Sequence, residues 1–282
     1  MCGILGYYNT SLSFEEIKAL NDLQSHRGPD FSKVKKFIFK NKNLFFGHNR
    51  LSIQDLTNKE ANQPMENDRY AIVFNGEIYN HLEIRNKLSF KSFKTNSDTE
   101  TILHSFSEFG IVKSIESFSG MFAIALFDKL NNKLYLIRDR VGIKPLYWTF
   151  NNGEFCFSSQ LKGISNHLKK TINNKSLIQF MSTGYVMNDS SYFKNINKLK
   201  PAHFLVFDGE NTKTFRYWDL PDSSIDINFN EAVNETERLI KTSINQRLLS
   251  DLEVGCFLSG GIDSSLVCAI MQNETSRKIK TF

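Results

Sequence analysis

The chain has 282 residues, 40% of them hydrophobic and 25 of them phenylalanine, which is more than one typical domain needs and enough for a substantial core. Its net charge of +5 comes from 35 basic and 30 acidic residues, with lysines in short clusters (Lys33–Lys36, Lys169–Lys170, Lys198–Lys200) rather than a sustained stripe, so nucleic-acid binding is not expected. No apolar run approaches the roughly 18 residues of a membrane span and no basic-then-apolar leader is present, so no membrane and a cytoplasmic setting are expected.

Cysteine at position 2 follows the initiator so closely that removal of Met1 puts a thiol and a free α-amine on one residue. An α-amine with a pKa of about 7.7–8.0 is partly unprotonated at neutral pH and can take the thiol's proton. By position alone Cys2 is an ordinary second residue, and only partner residues elsewhere give it chemistry. Ile4–Tyr8 reads as the strand that anchors it. Ser13–Gln24, with Phe14, Ile17, Leu20 and Leu23 three apart, reads as an amphipathic helix capped by Ser13 or Ser11. Ser25–Asp30 is turn-rich, and Val34–Phe39 with Leu44–His48 predict a hairpin. After Arg50–Gln54 comes a polar loop to Met65, then a strand Tyr70–Phe74 and a turn at Asn75-Gly76-Glu77.

Ser97 or Asp98 can cap a helix running to about Phe109. Met121–Phe127 and Lys133–Arg138 form a predicted hairpin, continued by strands Pro145–Phe150 and Glu154–Ser158. A helix is expected over Lys175–Thr183 and a last hairpin over Ala202–Phe207 and Thr212–Tyr217. Asp222–Phe229 is polar linker, and Asn230–Leu249 reads as a long amphipathic helix. A short strand Val254–Leu258 then runs into Ser259-Gly260-Gly261-Ile262-Asp263-Ser264-Ser265, with a helix over Leu266–Met271. Strand, glycine loop and helix in this order aim backbone amides at a phosphate, although the Gly-Lys pair of a Walker loop is missing. His26, His48 and His104 share no metal spacing and no ligand set is identifiable; Cys156, Cys256 and Cys268 lie in apolar runs and read as core.

Cys2-Gly3-Ile4-Leu5-Gly6, His26-Arg27-Gly28-Pro29-Asp30, Arg50-Leu51-Ser52-Ile53, Asn75-Gly76-Glu77, Ser97-Asp98-Thr99-Glu100 and the Ser259–Ser265 loop follow one another from end to end of the chain. Together they resemble glutamine-hydrolysing asparagine synthetase. The resemblance implies an α+β chain: a four-layer αββα sandwich of the N-terminal-nucleophile hydrolase type over residues 2–215 (a class II glutamine amidotransferase domain), a linker over 216–229, and over 230–282 the start of an α/β adenine-nucleotide α-hydrolase-like domain that such enzymes carry at greater length.

The same resemblance implies roles. Cys2 attacks the side-chain amide of glutamine, giving a thioester and ammonia, with Asn75 and the Gly76 amide as oxyanion hole. Arg50 meets the substrate carboxylate, Glu77 and Asp98 its ammonium, and Leu51, Ser52, Ile53 and Gln54 complete the glutamine site. Leu258, Ser259, Gly260, Gly261, Asp263, Ser264 and Ser265 hold ATP, accompanied by Mg2+, while the glutaminase half needs no cofactor. The expected partners are glutamine, ATP and aspartate, and a homodimer is compatible with the resemblance. Amidation of a sugar carboxylate is the alternative acceptor chemistry. A catalytically inactive regulatory or scaffold module is the alternative of another class, and the intact Cys2, Arg50, Asn75 and Asp98 argue against it.

Overall fold

A computed structural model describes residues 1–165, 168, 171–187, 189–222 and 224–282; the lysine pair at 169–170 and one linker residue, 223, lie outside the described residues. The chain divides into two compact units, Met1–Ser52 with Thr57–Asp219, and Ile53–Leu56 with Leu220–Phe282. No helix among the described residues is long and apolar enough to cross a membrane.

The first unit runs β1 (Gly3–Tyr8), α1 (Phe14–Asp22), β2 (Phe31–Phe39), β3 (Lys42–Arg50), β4 (Met65–Glu66), β5 (Tyr70–Ile78), α2 (His81–Lys87), α3 (Asp98–Phe109), α4 (Ile111–Ser117), β6 (Gly120–Asp128), β7 (Lys133–Arg138), β8 (Tyr147–Asn151), β9 (Glu154–Ser158), α5 (Lys162–Ser165), α6 (Asn174–Thr183), β10 (Asn197–Lys198), β11 (His203–Phe207) and β12 (Thr212–Arg216). Its strands build two 6-stranded sheets, ordered β10-β8-β9-β1-β3-β2 and β12-β11-β7-β6-β5-β4, in which every strand pair is antiparallel.

Strand alternation explains the layering. In β1, Ile4 and Tyr8 enter the core between the sheets with Phe46, Val73, Ala125 and Phe207, while Leu5 and Tyr7 point the other way and pack with Ile17 of α1. In β5, Ala71 and Val73 face the other sheet, and Ile72 and Phe74 meet Ile102 and Phe106 of α3. Helices therefore cover both outer faces, giving the expected helix–sheet–sheet–helix sandwich. The α1 start is a full capping box: the Ser13 hydroxyl accepts from the Glu16 amide, and the Glu16 carboxylate accepts from the Ser13 amide.

Two expectations change. The run Asn75–Glu77 is not a turn: β5 continues through it to Ile78, paired residue for residue with β6 from Tyr70↔Asp128 to Ile78↔Gly120. An Asn-Gly pair turns a chain only when the strands close on each other there, and here the neighbouring strand is supplied from over 40 residues away. Strands β8 and β9 form the expected hairpin but do not continue the β6–β7 sheet; β9 pairs with β1 in the opposite one.

The second unit contains α7 (Phe229–Arg247), whose N-terminus is capped by the Asn228 side chain accepting from the Glu231 amide, and α8 (Ile262–Glu274). The strand expected over Val254–Leu258 is present as a parallel bridge, Cys256↔Thr281, with the Cys256 and Leu258 amides donating to the Lys280 and Phe282 carbonyls. Helix α8 begins at Ile262, four residues before the expected Leu266. Cys156 is buried as expected, but Cys256 and Cys268 are only half-buried, since this unit's core is the small cluster around Ile244, Ile270 and Met271.

Candidate active site

Strand alternation brings the predicted residues to one place. Residue 2 precedes β1 on the side of Ile4 and Tyr8. Arg50 ends β3 on the side of Leu44, Phe46 and His48. Asn75 and Glu77 continue the face of Ala71 and Val73. All four therefore project into the space between the sheets at the same end of the sandwich. Asp98 joins them from the first turn of α3, where its Oδ2 accepts from the Ile78 amide at 2.9 Å. Arg85 of α2 fixes that turn by donating to the carbonyls of Thr95 and Ser97, both at 2.8 Å.

Cys2 is held at three points. Its sulfur accepts from the Leu51 amide at 3.4 Å, its thiol donates to the Leu51 carbonyl at 3.7 Å, and its own carbonyl accepts from Arg27 Nε at 2.9 Å. The loop carrying Arg27 is in turn tied to the end of β3: Asp30 N–H donates to the Arg50 carbonyl at 3.0 Å and Ser52 N–H to Asp30 Oδ2 at 2.7 Å. Gly28 permits this approach, because a Cβ there would lie 2.3 Å from the Asn49 carbonyl oxygen. Arg50 is 8% exposed and donates to Asn62 Oδ1 at 2.7 Å. Ile53 and Gln54, by contrast, belong to the second unit, where Asp251 N–H donates to the Ile53 carbonyl at 3.1 Å.

The Asn75 side chain is 1% exposed, and among the described residues neither its Nδ2 nor its Oδ1 has a hydrogen-bond partner. A buried amide with both ends unpaired costs about 1–3 kcal/mol, so it calls for a function. The Gly76 amide lies beside it. Phe122, which faces Gly76 across the sheet, spends its own N–H on Asp139 Oδ2 at 3.2 Å and its carbonyl on the Asp139 amide at 2.9 Å, both away from β5. Gly76 thus sits in a pair without mutual hydrogen bonds, and its N–H points to the other edge, which β4 covers only at Ala71 and Ile72. A Cβ at Gly76 would lie 2.1 Å from the Met121 carbonyl oxygen, so no other residue fits.

Electrostatics set the resting protonation. Burial pushes the Cys2 thiol up, the Leu51 amide pulls it back, and the charges of Glu77 and Asp98 raise it further. Burial pushes the α-amine of Met1, one residue ahead of Cys2, down, in surroundings that include Cys2, Lys144, Arg27 and Asp30. Glu77 and Asp98 are both raised, first by burial, and Glu77 also by the charge of Asp98; the two behave as a pair that retains a proton well above the usual carboxylate range.

The sign of the pair's pH effect follows. Folding takes up a proton there, so its contribution to stability is lost as pH rises through the raised values. A cationic group bound against the pair would displace that proton. KM for an amino-acid substrate is expected to fall as pH rises from about 6 to about 9. Asp98→Asn is expected to raise KM by about ten- to a hundredfold with kcat little changed, because the charge acts on ground and transition state alike. Steady-state kinetics across that range test both; a pH-independent KM in the parent with a kcat-only defect in the variant would show the role to be wrong.

Sequence reading missed two basic groups. Arg27 lies in a quoted motif but was given no role, and Lys144 follows a lone glycine turn that carries no pattern. Lys144 is 4% exposed, and its Nζ makes no hydrogen bond among the described residues. Its backbone is fixed by Asp139 Oδ2, which accepts from its amide at 3.0 Å, and by Arg138 Nε, which donates to its carbonyl at 2.8 Å. Burial lowers its pKa, while Cys2 and Glu77 raise it, so a buried cation offsets the carboxylate pair.

In the second unit, Gly260 takes φ +83° and a Cβ there would meet nothing within 4 Å. Helix α8 has Gly261 as its N-cap and no side-chain cap among the described residues, leaving its first amides open, and the Ser259 and Ser264 hydroxyls lie 3.0 Å apart over this start. Leu258, Asp263 and Ser265 flank the loop, with Ser265 N–H donating to the Gly261 carbonyl at 3.1 Å. Uncapped amides and hydroxyls at a helix start fit phosphate oxygens.

The model of the glutamine amidotransferase domain family matches residues 1–218, and that of asparagine synthase matches residues 235–282. A putative glutamine-hydrolyzing asparagine synthetase 2 of Methanocaldococcus jannaschii is 36% identical, covering 100% of this chain and 59% of that protein. The glutamine-hydrolyzing asparagine synthetases 3 and 1 of Bacillus subtilis are 33% and 34% identical, covering 99% and 100% of this chain and 47% and 45% of their own length. The chain thus spans about half the length of the curated relatives it matches. The solved glutamine phosphoribosylpyrophosphate amidotransferase of B. subtilis superposes over 100% of this chain and 65% of its own with a TM-score of 0.55 at 18% identity, a likeness of fold.

Proposed function

Because the chain belongs to the glutamine amidotransferase domain family, we propose that residues 2–215 form its glutaminase domain, hydrolysing glutamine at Cys2 to glutamate and ammonia, and that the ammonia amidates an adenylated aspartate. Residues 216–229 are then the linker and 230–282 part of the ATP-binding synthase domain. The observation that carries the hydrolytic half is the buried, unpartnered Asn75 amide beside the open Gly76 N–H, on the face that meets Cys2.

In this reading, removal of Met1 frees the α-amine of Cys2. The amine takes the thiol proton as sulfur attacks the amide carbon. Negative charge then develops on the amide oxygen, where Asn75 Nδ2 and Gly76 N–H receive it. Collapse expels ammonia with the proton returned by the amine, and water cleaves the thioester by the same path. Arg50 suits the substrate carboxylate because its guanidinium can meet both oxygens. Glu77 and Asp98 suit the ammonium, and Leu51 and Ser52 belong to the same substrate site.

ATP supplies the leaving group that makes the acceptor carboxylate reactive. Leu258, Ser259, Gly260, Gly261, Asp263, Ser264 and Ser265 would hold it through the open amides and hydroxyls at the start of α8, with Mg2+ on the phosphates. Work in the cytoplasm, on aspartate rather than a sugar carboxylate, completes the proposal, and the intact hydrolytic constellation gives no support to an inactive module. For the enzyme at its full length, glutamine, ATP, Mg2+ and aspartate together are expected to yield AMP and pyrophosphate in equal amounts with asparagine. Release of ADP and phosphate would overturn the assignment of the loop, and turnover with a sugar carboxylate but not aspartate would overturn the acceptor.

A further inference from the structure

The open edge of β5 carries three outward-facing amides, those of Phe74, Gly76 and Ile78, of which the outer two are taken by side chains. Phe74 N–H donates to Gln63 Oε1 at 2.6 Å and Ile78 N–H to Asp98 Oδ2 at 2.9 Å, which leaves the Gly76 amide between them. The Phe74 carbonyl is held as well. His48 Nε2 donates to it at 3.3 Å from the opposite sheet, which fixes the His48 tautomer and leaves Nδ1 without a partner. Gln63 does more than close one amide: its Nε2 donates to Thr99 Oγ1 at 3.1 Å, and the Thr99 hydroxyl reaches Asp98 Oδ1 at 3.5 Å. Gln63 is 5% exposed and Thr99 2% exposed, so water does not compete for these bonds.

Resting on the glutaminase reading above, we propose that Gln63 is a positioning residue for amide hydrolysis. One side chain sets the strand immediately ahead of Asn75 and, through Thr99, the carboxylate of Asp98. The oxyanion donors and the ammonium acceptor are thereby held at a fixed separation. The span between them matters because a substrate bound at one end reaches the other only if the two keep their spacing, and displacements of about 1 Å at such sites cost roughly a hundredfold in rate. The two ends of β5 in the site come from different packing environments, one on an inter-sheet contact and one on a helix cap. A direct bridge between them is what a buried amide, with one acceptor and one donor end, can supply.

The test compares Gln63→Leu, Thr99→Val and Thr99→Ser with Asn75→Ala and Asp98→Asn, scored by glutamate release. Gln63→Leu is expected to lower kcat and to raise KM, each by about tenfold, because it disturbs both ends of the site. Thr99→Val, which removes only the hydroxyl, is expected to raise KM by about tenfold with kcat within about twofold, and Thr99→Ser to restore it. The double variant Gln63→Leu/Thr99→Val is expected to show the KM of Gln63→Leu alone. Thr99→Val is isosteric and keeps the test decisive if Gln63→Leu does not fold. Near-parental kinetics in Thr99→Val, or a loss that Thr99→Ser does not restore, would overturn the proposal while leaving the glutaminase reading intact. Near-parental hydrolysis in Asn75→Ala and Asp98→Asn would instead remove the reading itself, and the positioning role with it.

Discussion

Cys2→Ala is expected to reduce glutamine hydrolysis by on the order of 10⁴ or more, which in practice is below detection, with the melting temperature unchanged. In the proposed reaction the Cys2 thiol forms the covalent intermediate. Its removal leaves an oxyanion pocket and a charge clamp that bind substrate but cannot cleave it. The fold should tolerate the change, because Cys2 precedes β1 and is only half-buried, and its carbonyl stays held by Arg27 when the sulfur's contacts with Leu51 are lost. Cys2→Ser is expected to keep a small residual rate, since an alcohol is a far weaker nucleophile when its base is an amine of near-neutral pKa. Intact mass should place the first residue of active protein at Cys2. Parental turnover in Cys2→Ala would remove the nucleophile assignment, and full activity in protein that retains Met1 would remove the α-amine of Cys2 as its base.

Asn75→Ala is expected to lower kcat by about 10²–10³ with KM nearly unchanged, because its donor is engaged only when charge develops on the substrate oxygen. The same substitution should leave the melting temperature equal or higher. Its amide is buried with both ends unpaired, and deleting an unsatisfied polar group relieves a desolvation cost of about 1–3 kcal/mol, against which a small cavity is the only loss. A residue that destabilises the fold yet is needed for turnover is the expected signature of a preorganised site. A large loss of stability with activity per folded molecule retained would mark Asn75 as structural instead.

Much of the first unit was legible because its signals are local. The Ser13 cap before α1, the Ser97 cap before α3, and the hairpins β2–β3, β6–β7 and β11–β12 each lie within a few residues of sequence. The short helices α2 and α4 were missed, since seven residues hold less than two turns of periodicity and their stability comes from packing Ile84 and Ile115 against α3 and β5. Asn75-Gly76-Glu77 read as a turn because its local chemistry is that of a turn, and the pairing with β6 overrides it. That override has consequences for function: as strand, the segment puts Asn75 and Glu77 on one face and the Gly76 amide on the edge, an arrangement that a turn would not give.

What the amino-acid order carried by itself was the inventory: a cysteine next to the initiator and a glycine loop before a helix, visible in the residues, and one arginine, two acidic groups and an Asn-Gly pair, singled out by the family resemblance of their motifs. Which of these meet was decided by tertiary structure. Alternation along β1, β3 and β5 turns Cys2, Arg50, Asn75 and Glu77 into one space only because the two sheets stack with those faces inward. Lys144, Arg27 and Gln63 gained their places in the same way, a buried cation, a clamp on Cys2 and a bridge from Phe74 to Thr99. No local pattern announces such residues, because a side chain's partner across a sandwich is set by register and burial, which the whole sheet fixes at once.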